Sequence, residues 1–111
     1  SKLISIKFKD LLEKHFSEWH KLNEYASQLN ISPDYLNATL KSGIGKTAKE
    51  LIQQRIILEA KRLGLHTELS GKEIAFKLGF EDPSHFSKFY KNSERQSFAE
   101  FKLNLEKEFI K

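Results

Sequence analysis

Lys72-Glu-Ile-Ala-Phe-Lys-Leu-Gly-Phe-Glu-Asp-Pro-Ser-His-Phe-Ser-Lys-Phe-Tyr-Lys91 is the stretch whose reading decides the fold. It holds two short amphipathic segments around a tight turn. Ile74, Ala75 and Leu78 share one face of the first, and Phe86, Phe89 and Tyr90 share one face of the second. Gly79 stands where a helix C-terminus needs a residue that tolerates left-handed backbone angles. Asp82-Pro83 then restarts the chain, an N-cap acid followed by a residue whose fixed φ suits the first helical position. Small Ala75 lets the two helices approach. The pattern is that of a helix-turn-helix, and its second helix leaves Ser84, His85, Ser87 and Lys88 off the core face.

Upstream, the same pattern occurs again. Ala26, Leu29 and Ile31 match Ala75, Leu78 and Phe80 at an offset of 49; Pro33, Leu36, Leu40 and Lys41 match Pro83, Phe86, Tyr90 and Lys91 at an offset of 50. This is an internal duplication. In the first copy Lys21 to Leu29 forms the leading helix, with a start that lacks a good N-cap. Asn30 can end that helix in the left-handed region, and Ser32-Pro33 starts the next.

The remaining segments frame the two copies. Ser1 to Lys7 reads as a linker or frayed lead-in. Phe8, Leu11, Leu12, Phe16 and Trp19 recur at helical spacing, so a helix is expected from Phe8 to about His20. Thr47-Ala-Lys-Glu50 is a capping box that opens a long helix running to about Leu63, with Leu51, Ile52, Ile56, Ala60 and Leu63 as its buried stripe. Gly64 weakens the last turn of that helix. Ser70-Gly-Lys-Glu73 and Ser97-Phe-Ala-Glu100 are further capping boxes, the latter opening a final helix to about Glu108. Gly43-Ile-Gly45 reads as a helix terminator. The expected fold is all-α, with seven helices: a first helix-turn-helix subdomain over 8–45, a connecting helix over 47–64 and a second subdomain over 70–108.

Composition narrows the function. The 111 residues are enough for one compact helical domain, with a net charge of +4 and a pI of about 9.3 that favour a polyanionic partner without requiring one. There is no Cys, hence no disulfide or thiolate–metal framework, and His15, His20, His66 and His85 lack metal-ligand spacing. No Gly-rich phosphate cradle and no nucleophile–base pattern is present, so no catalytic residue, metal or cofactor is assigned. No apolar run approaches a membrane span. The absence of Met, even at position 1, leads us to expect a piece of a longer protein.

Ile74-Ala75-x-x-Leu78-Gly79-Phe80-x-Asp82-x-Ser84-x-Phe86-Ser87-x-x-Tyr90-Lys91 resembles the signature of the DNA-binding domain of the AraC family of bacterial transcription regulators. Ser97 and Glu100-Phe101-Lys102 resemble that family's closing element, Tyr25-Ala26-x-x-Leu29-x-Ile31-Ser32-Pro33-x-Tyr35-Leu36 its first motif, and Gly45-Lys46-Thr47, Arg55 and Ala60-Lys61 its connecting helix. The resemblance covers about Leu22 to Lys102. Three positions depart from it: Arg95 where a Gly is usual, Phe98 where a Pro is usual, and Gly64 where a Leu is usual. The resemblance implies a cytoplasmic regulator whose partners are double-stranded DNA and RNA polymerase. It also implies an N-terminal sensing or dimerisation domain in the full protein.

Two recognition helices joined by one long helix have a mechanical meaning. Successive major-groove faces on one side of a duplex lie about 34 Å apart. A connector of about 17–20 residues spans roughly 25–30 Å, to which helix widths add at each end. One chain could thus read two groove segments without dimerising.

Base contacts are expected from Asp34, Asn37 and Ala38 in the first recognition helix and from Ser84, His85, Ser87 and Lys88 in the second. Asn37 can pair bidentately with adenine, Ala38 can touch a thymine methyl, and Lys88 suits guanine O6 and N7. Asp34 reads either as an acceptor for cytosine N4 or as an acid favoured at a helix N-terminus. His85, matched to Tyr35, reads either as a DNA contact or as a rim packing residue. Phosphate contacts are expected from Lys41, Lys46, Thr47, Lys72 and Lys91. Arg55, on a helix otherwise read as buried, is expected to take a carboxylate or carbonyl partner and to fix the motif against the connector, with a DNA contact as the alternative. The competing function is a helical protein-interaction module without sequence-specific DNA reading, motivated by Asp34 and by the lack of Arg in the first recognition helix.

Overall fold

A computed structural model describes residues 2–109, with side chains to Glu108. Its seven helices are α1 (Lys2–His15), α2 (Leu22–Gln28), α3 (Pro33–Ile44), α4 (Ala48–His66), α5 (Gly71–Lys77), α6 (Pro83–Glu94) and α7 (Phe98–Phe109), with no strand among the described residues. The chain divides into two compact units between Ile56 and Ile57, inside α4. The first half of α4 closes unit 1, and its second half opens unit 2.

The two units repeat one local construction. α2 ends with Asn30 at φ 58°, and α5 ends with Gly79 at φ 91°. In each case the following amide reaches back across the turn, Ile31 N–H to the Ala26 carbonyl at 3.1 Å and Phe80 N–H to the Ala75 carbonyl at 3.0 Å. A second bond, Asn30 to Ser27 and Gly79 to Phe76, completes the same Schellman turn in both copies. Pro33 and Pro83 then open the second helices behind N-caps Ser32 and Asp82. Both second helices end on a left-handed residue, Gly45 at φ 83° and Arg95 at φ 59°.

Each unit has its own core. In unit 1 Phe8 and Leu12 of α1, Tyr25 and Ala26 of α2, Leu36 and Leu40 of α3, and Ile52 and Ile56 of α4 are buried. In unit 2 Ile57 and Leu63 of α4, Ile74 and Ala75 of α5, Phe86 and Tyr90 of α6, and Phe98 of α7 are buried.

Three sequence expectations need correction. The lead-in is helical from Lys2, because no Gly or Pro interrupts it and half-buried Ile4 extends the Phe8–Leu12 stripe by one turn. α1 stops at His15, so Phe16 and Trp19 lie in the turn beyond it. There Trp19 stacks on His15 with centroids 3.8 Å apart and meets Tyr25 edge-on, while the Tyr25 hydroxyl donates to the Trp19 carbonyl at 2.9 Å. α4 runs through Gly64 to His66. A Cβ at Gly64 would lie 3.1 Å from the ring of Phe98, so glycine here makes room for an aromatic side chain.

Candidate nucleic-acid interface

The start of α6 is shaped by its cap. Asp82 Oδ1 accepts from the Ser84 amide and from the Ser84 hydroxyl, both at 2.9 Å. These bonds, with lesser help from His85 and Lys88, hold the Asp82 carboxyl below its ordinary range. One turn on, the Ser87 hydroxyl donates to the Pro83 carbonyl at 3.1 Å. Phe86 and Tyr90 anchor the opposite side of the helix, leaving Ser84, His85, Ser87, Lys88 and Lys91 exposed. Ser84, Ser87, Lys88 and Lys91 follow i, i+3, i+4, i+7 spacing and share one solvent stripe, and exposed His85 flanks it beside Ser84. His85 is exposed rather than packed. Glu94, the acid at the far end of α6, is paired with Lys61 of α4.

α3 presents a different face. Asp34 and Ala38 are exposed, but Asn37 is half-buried, and its Oδ1 accepts from the amide of Ala48, the first residue of α4, at 2.9 Å. It therefore caps a neighbouring helix, an arrangement that adjacent sequence could not reveal because the partner lies eleven residues away. Tyr35, to which no DNA role was assigned from the sequence, is 50% exposed in the first turn of α3. Its match to His85 across the repeat was the available signal.

The phosphate candidates fall into two groups. Lys41 is exposed, and with Lys46 it contributes to holding the Glu50 carboxyl below its ordinary range, behind the larger effect of the Thr47 amide and hydroxyl. The Thr47 hydroxyl is engaged with Glu50 in the capping box, and Lys46 Nζ donates to Gln54 at 3.1 Å. In unit 2 the starts of α5, α6 and α7 (at Ser70, Pro83 and Ser97) line one open groove together with Lys72, Ser87 and Lys102. Lys72 and Lys91 are both exposed. Lys102 Nζ donates to the Leu69 carbonyl at 3.0 Å, tying α7 to the loop before α5.

Arg55 takes the structural place expected of it, with a different element as partner. Its guanidinium forms a bidentate pair with Glu13 of α1 at 2.8 and 2.9 Å and lies 4.0 Å from the ring centre of Phe16. It joins α4 to the α1 side of unit 1. Among the described residues no cluster of three or more His, Cys, Asp or Glu is placed to hold a metal ion. No helix there is long and apolar enough to cross a membrane.

A repeated helix-turn-helix with an exposed polar second helix defines a class of nucleic-acid-binding domain, and comparison with known proteins agrees. The sequence profile of a family described as a helix-turn-helix domain matches residues 25–104. The chain belongs to this family, the AraC-type helix-turn-helix domains of bacterial transcription regulators. It is 31% identical over 80 residues to the transcriptional activator RhaS of Escherichia coli, a match covering 72% of this chain and 29% of the relative. The chain thus spans less than a third of the length of the curated relatives it matches. Among solved structures, the C-terminal domain of AraT, a response regulator from Geobacillus stearothermophilus, is 29% identical with a TM-score of 0.83, covering 91% of this chain and 84% of that one. The DNA-binding domain of AdpA, a global transcriptional factor solved in complex with a target DNA, shares the fold, with a TM-score of 0.82, 18% identity and coverage of 97% and 96%.

Proposed function

We propose that this chain is the sequence-specific DNA-binding part of a bacterial transcription regulator. The carrying observation is the solvent side of α6, where Ser84, Ser87 and Lys88 share an exposed stripe flanked by His85, on a helix anchored from behind by Phe86 and Tyr90. Such a helix fits the major groove, and α3 enters a groove in the same manner. Lysines 41, 46, 72 and 91 neutralise phosphates, with the helix starts that line the unit 2 groove adding amide donors. The full protein, on this reading, adds an N-terminal sensing or dimerisation domain, acts on RNA polymerase as an activator and works in the cytoplasm.

The experiment is a salt titration of binding to a duplex selected from a random pool. Electrostatic contact with several phosphates gives a log–log slope of about −0.9 per phosphate neutralised. Lys88→Ala is expected to weaken the selected site by about 1–3 kcal/mol; an unchanged affinity would remove Lys88 from the interface.

A second reading has one observation in its favour. Leu58 and Leu65 lie exposed seven residues apart on α4. They suit a protein partner, which can coexist with DNA binding or replace it. Replacement predicts no salt-dependent DNA affinity at all.

A further inference from the structure

We infer that base reading is confined to α6, which presents hydrogen-bond acceptors at Ser84 and Ser87 and a donor at Lys88, while α3 occupies its groove without reading sequence. This rests on the DNA-binding reading above and specifies its chemistry.

Asn37 and Ser87 occupy the same place in the two copies, at the offset of 50. To read adenine, Asn37 must offer Oδ1 to N6–H and Nδ2 to N7 in one plane. Its Oδ1 is instead held by the Ala48 amide at 2.9 Å, and the side chain is half-buried. The exposed neighbours supply little else. Ala38 has only a methyl group, and Asp34 brings a negative charge toward phosphates at a helix start that already favours it. Half-exposed Tyr35 and exposed Lys41 suit sugar and phosphate contact.

α6 is constrained differently. The Ser84 hydroxyl bonds to a carboxylate oxygen and the Ser87 hydroxyl to a main-chain carbonyl, and both partners only accept. Each serine has therefore committed its proton inward and turns lone pairs outward. Outward acceptors match the amino groups of adenine N6 or cytosine N4 and oppose thymine O4 and guanine O6. Lys88 supplies the complementary donor for guanine. The element recognised is then a guanine beside adenine or cytosine, read in one box.

Selection of bound duplexes by this chain from a random pool tests it, repeated with four variants whose fold is checked by circular dichroism. The expected result is one information-bearing box. Lys88→Ala flattens the guanine position and lowers affinity by about 5- to 150-fold. Ser84→Ala and Ser87→Ala each flatten an adenine-or-cytosine position. Asn37→Asp keeps an acceptor for the Ala48 amide but lacks the donor that adenine N7 needs, so the same box is expected, with its added negative charge lowering affinity for all sequences alike. Two equally informative boxes, a box lost in Asn37→Asp, or serine variants that leave the selected bases unchanged would each overturn the inference while leaving DNA binding in place. Failure of the parent chain to hold any duplex, even at low salt, would sink the DNA-binding reading, and this inference with it.

Discussion

Arg95 ends α6 at φ 59°, a backbone form in which a side chain crowds the adjacent carbonyl. Gly45 ends α3 in the same form without that crowding. Arg95→Gly is expected to raise stability by about 0.5–1 kcal/mol, the released strain being partly offset by a more flexible unfolded chain. Gly45→Arg should lose a similar amount; urea midpoints of the two variants measure both. The caps yield a second prediction at this scale. The Ser70 amide and hydroxyl hold the Glu73 carboxyl below its ordinary range. With the folded value below the unfolded one, this cap stabilises above the ordinary carboxylate range and is lost as pH falls through the depressed value. Glu73→Gln keeps the bond but cannot titrate. Its melting temperature should lose less than the parent's between about pH 6 and pH 3. The caps themselves were legible beforehand, because Ser32, Thr47, Ser70, Asp82 and Ser97 each bond within three residues. Asn37 was not, because its partner is brought near only when α3 and α4 pack.

Among the elements, α4 and α7 share the most instructive contact. Gly64 and Phe98 are separate departures from the family pattern when read along the chain, yet in space they are one arrangement. The Phe98 ring occupies the volume that a side chain at 64 would need, 3.1 Å from its Cβ, and packs against Phe86, Tyr90 and Phe101. Gly64→Leu alone should lose about 1–3 kcal/mol by overpacking. Phe98→Pro alone should lose about 3 kcal/mol or more by emptying a buried site, although proline suits the first position of a helix. The double variant restores the usual family pair. It should lose less than the sum by at least about 1 kcal/mol, measured as a double-mutant cycle in urea. Element starts were read well where a cap marks them. The start of α1 is not legible in the sequence because no cap or breaker marks it, and its extent is set by packing of Ile4, Phe8 and Leu12 in unit 1.

Over the whole molecule, the two units solve the same packing problem with rings on opposite sides. Unit 1 places Phe8, Trp19 and Tyr25 on its α1–α2 side and aliphatic Leu36 and Leu40 on α3. Unit 2 puts Ile74 at the place of Tyr25 and fills α6 and α7 with Phe86, Tyr90, Phe98 and Phe101. The sole tryptophan therefore reports on unit 1. Leu36→Ala should lower the midpoint seen by Trp19 emission, with about 2–5 kcal/mol lost. Phe86→Ala should lower the midpoint seen by far-ultraviolet circular dichroism more than that of Trp19. Coincident midpoints in both variants would mean that the two cores unfold in one step. The duplication itself was legible, since it depends on residue types at fixed offsets. The exchange of rings between sides was visible only in part, because α1 has no labelled counterpart along the chain.

A turn held in the left-handed form by glycine at 45 and by arginine at 95 also bears on descent. The bend keeps one form in both copies although only the first carries the residue that eases it, since the flanking helices enforce the path. Copies of this kind can drift apart in the side chains they show to a partner while their helix boundaries stay in step. Repeated halves of a single chain are thereby free to specialise.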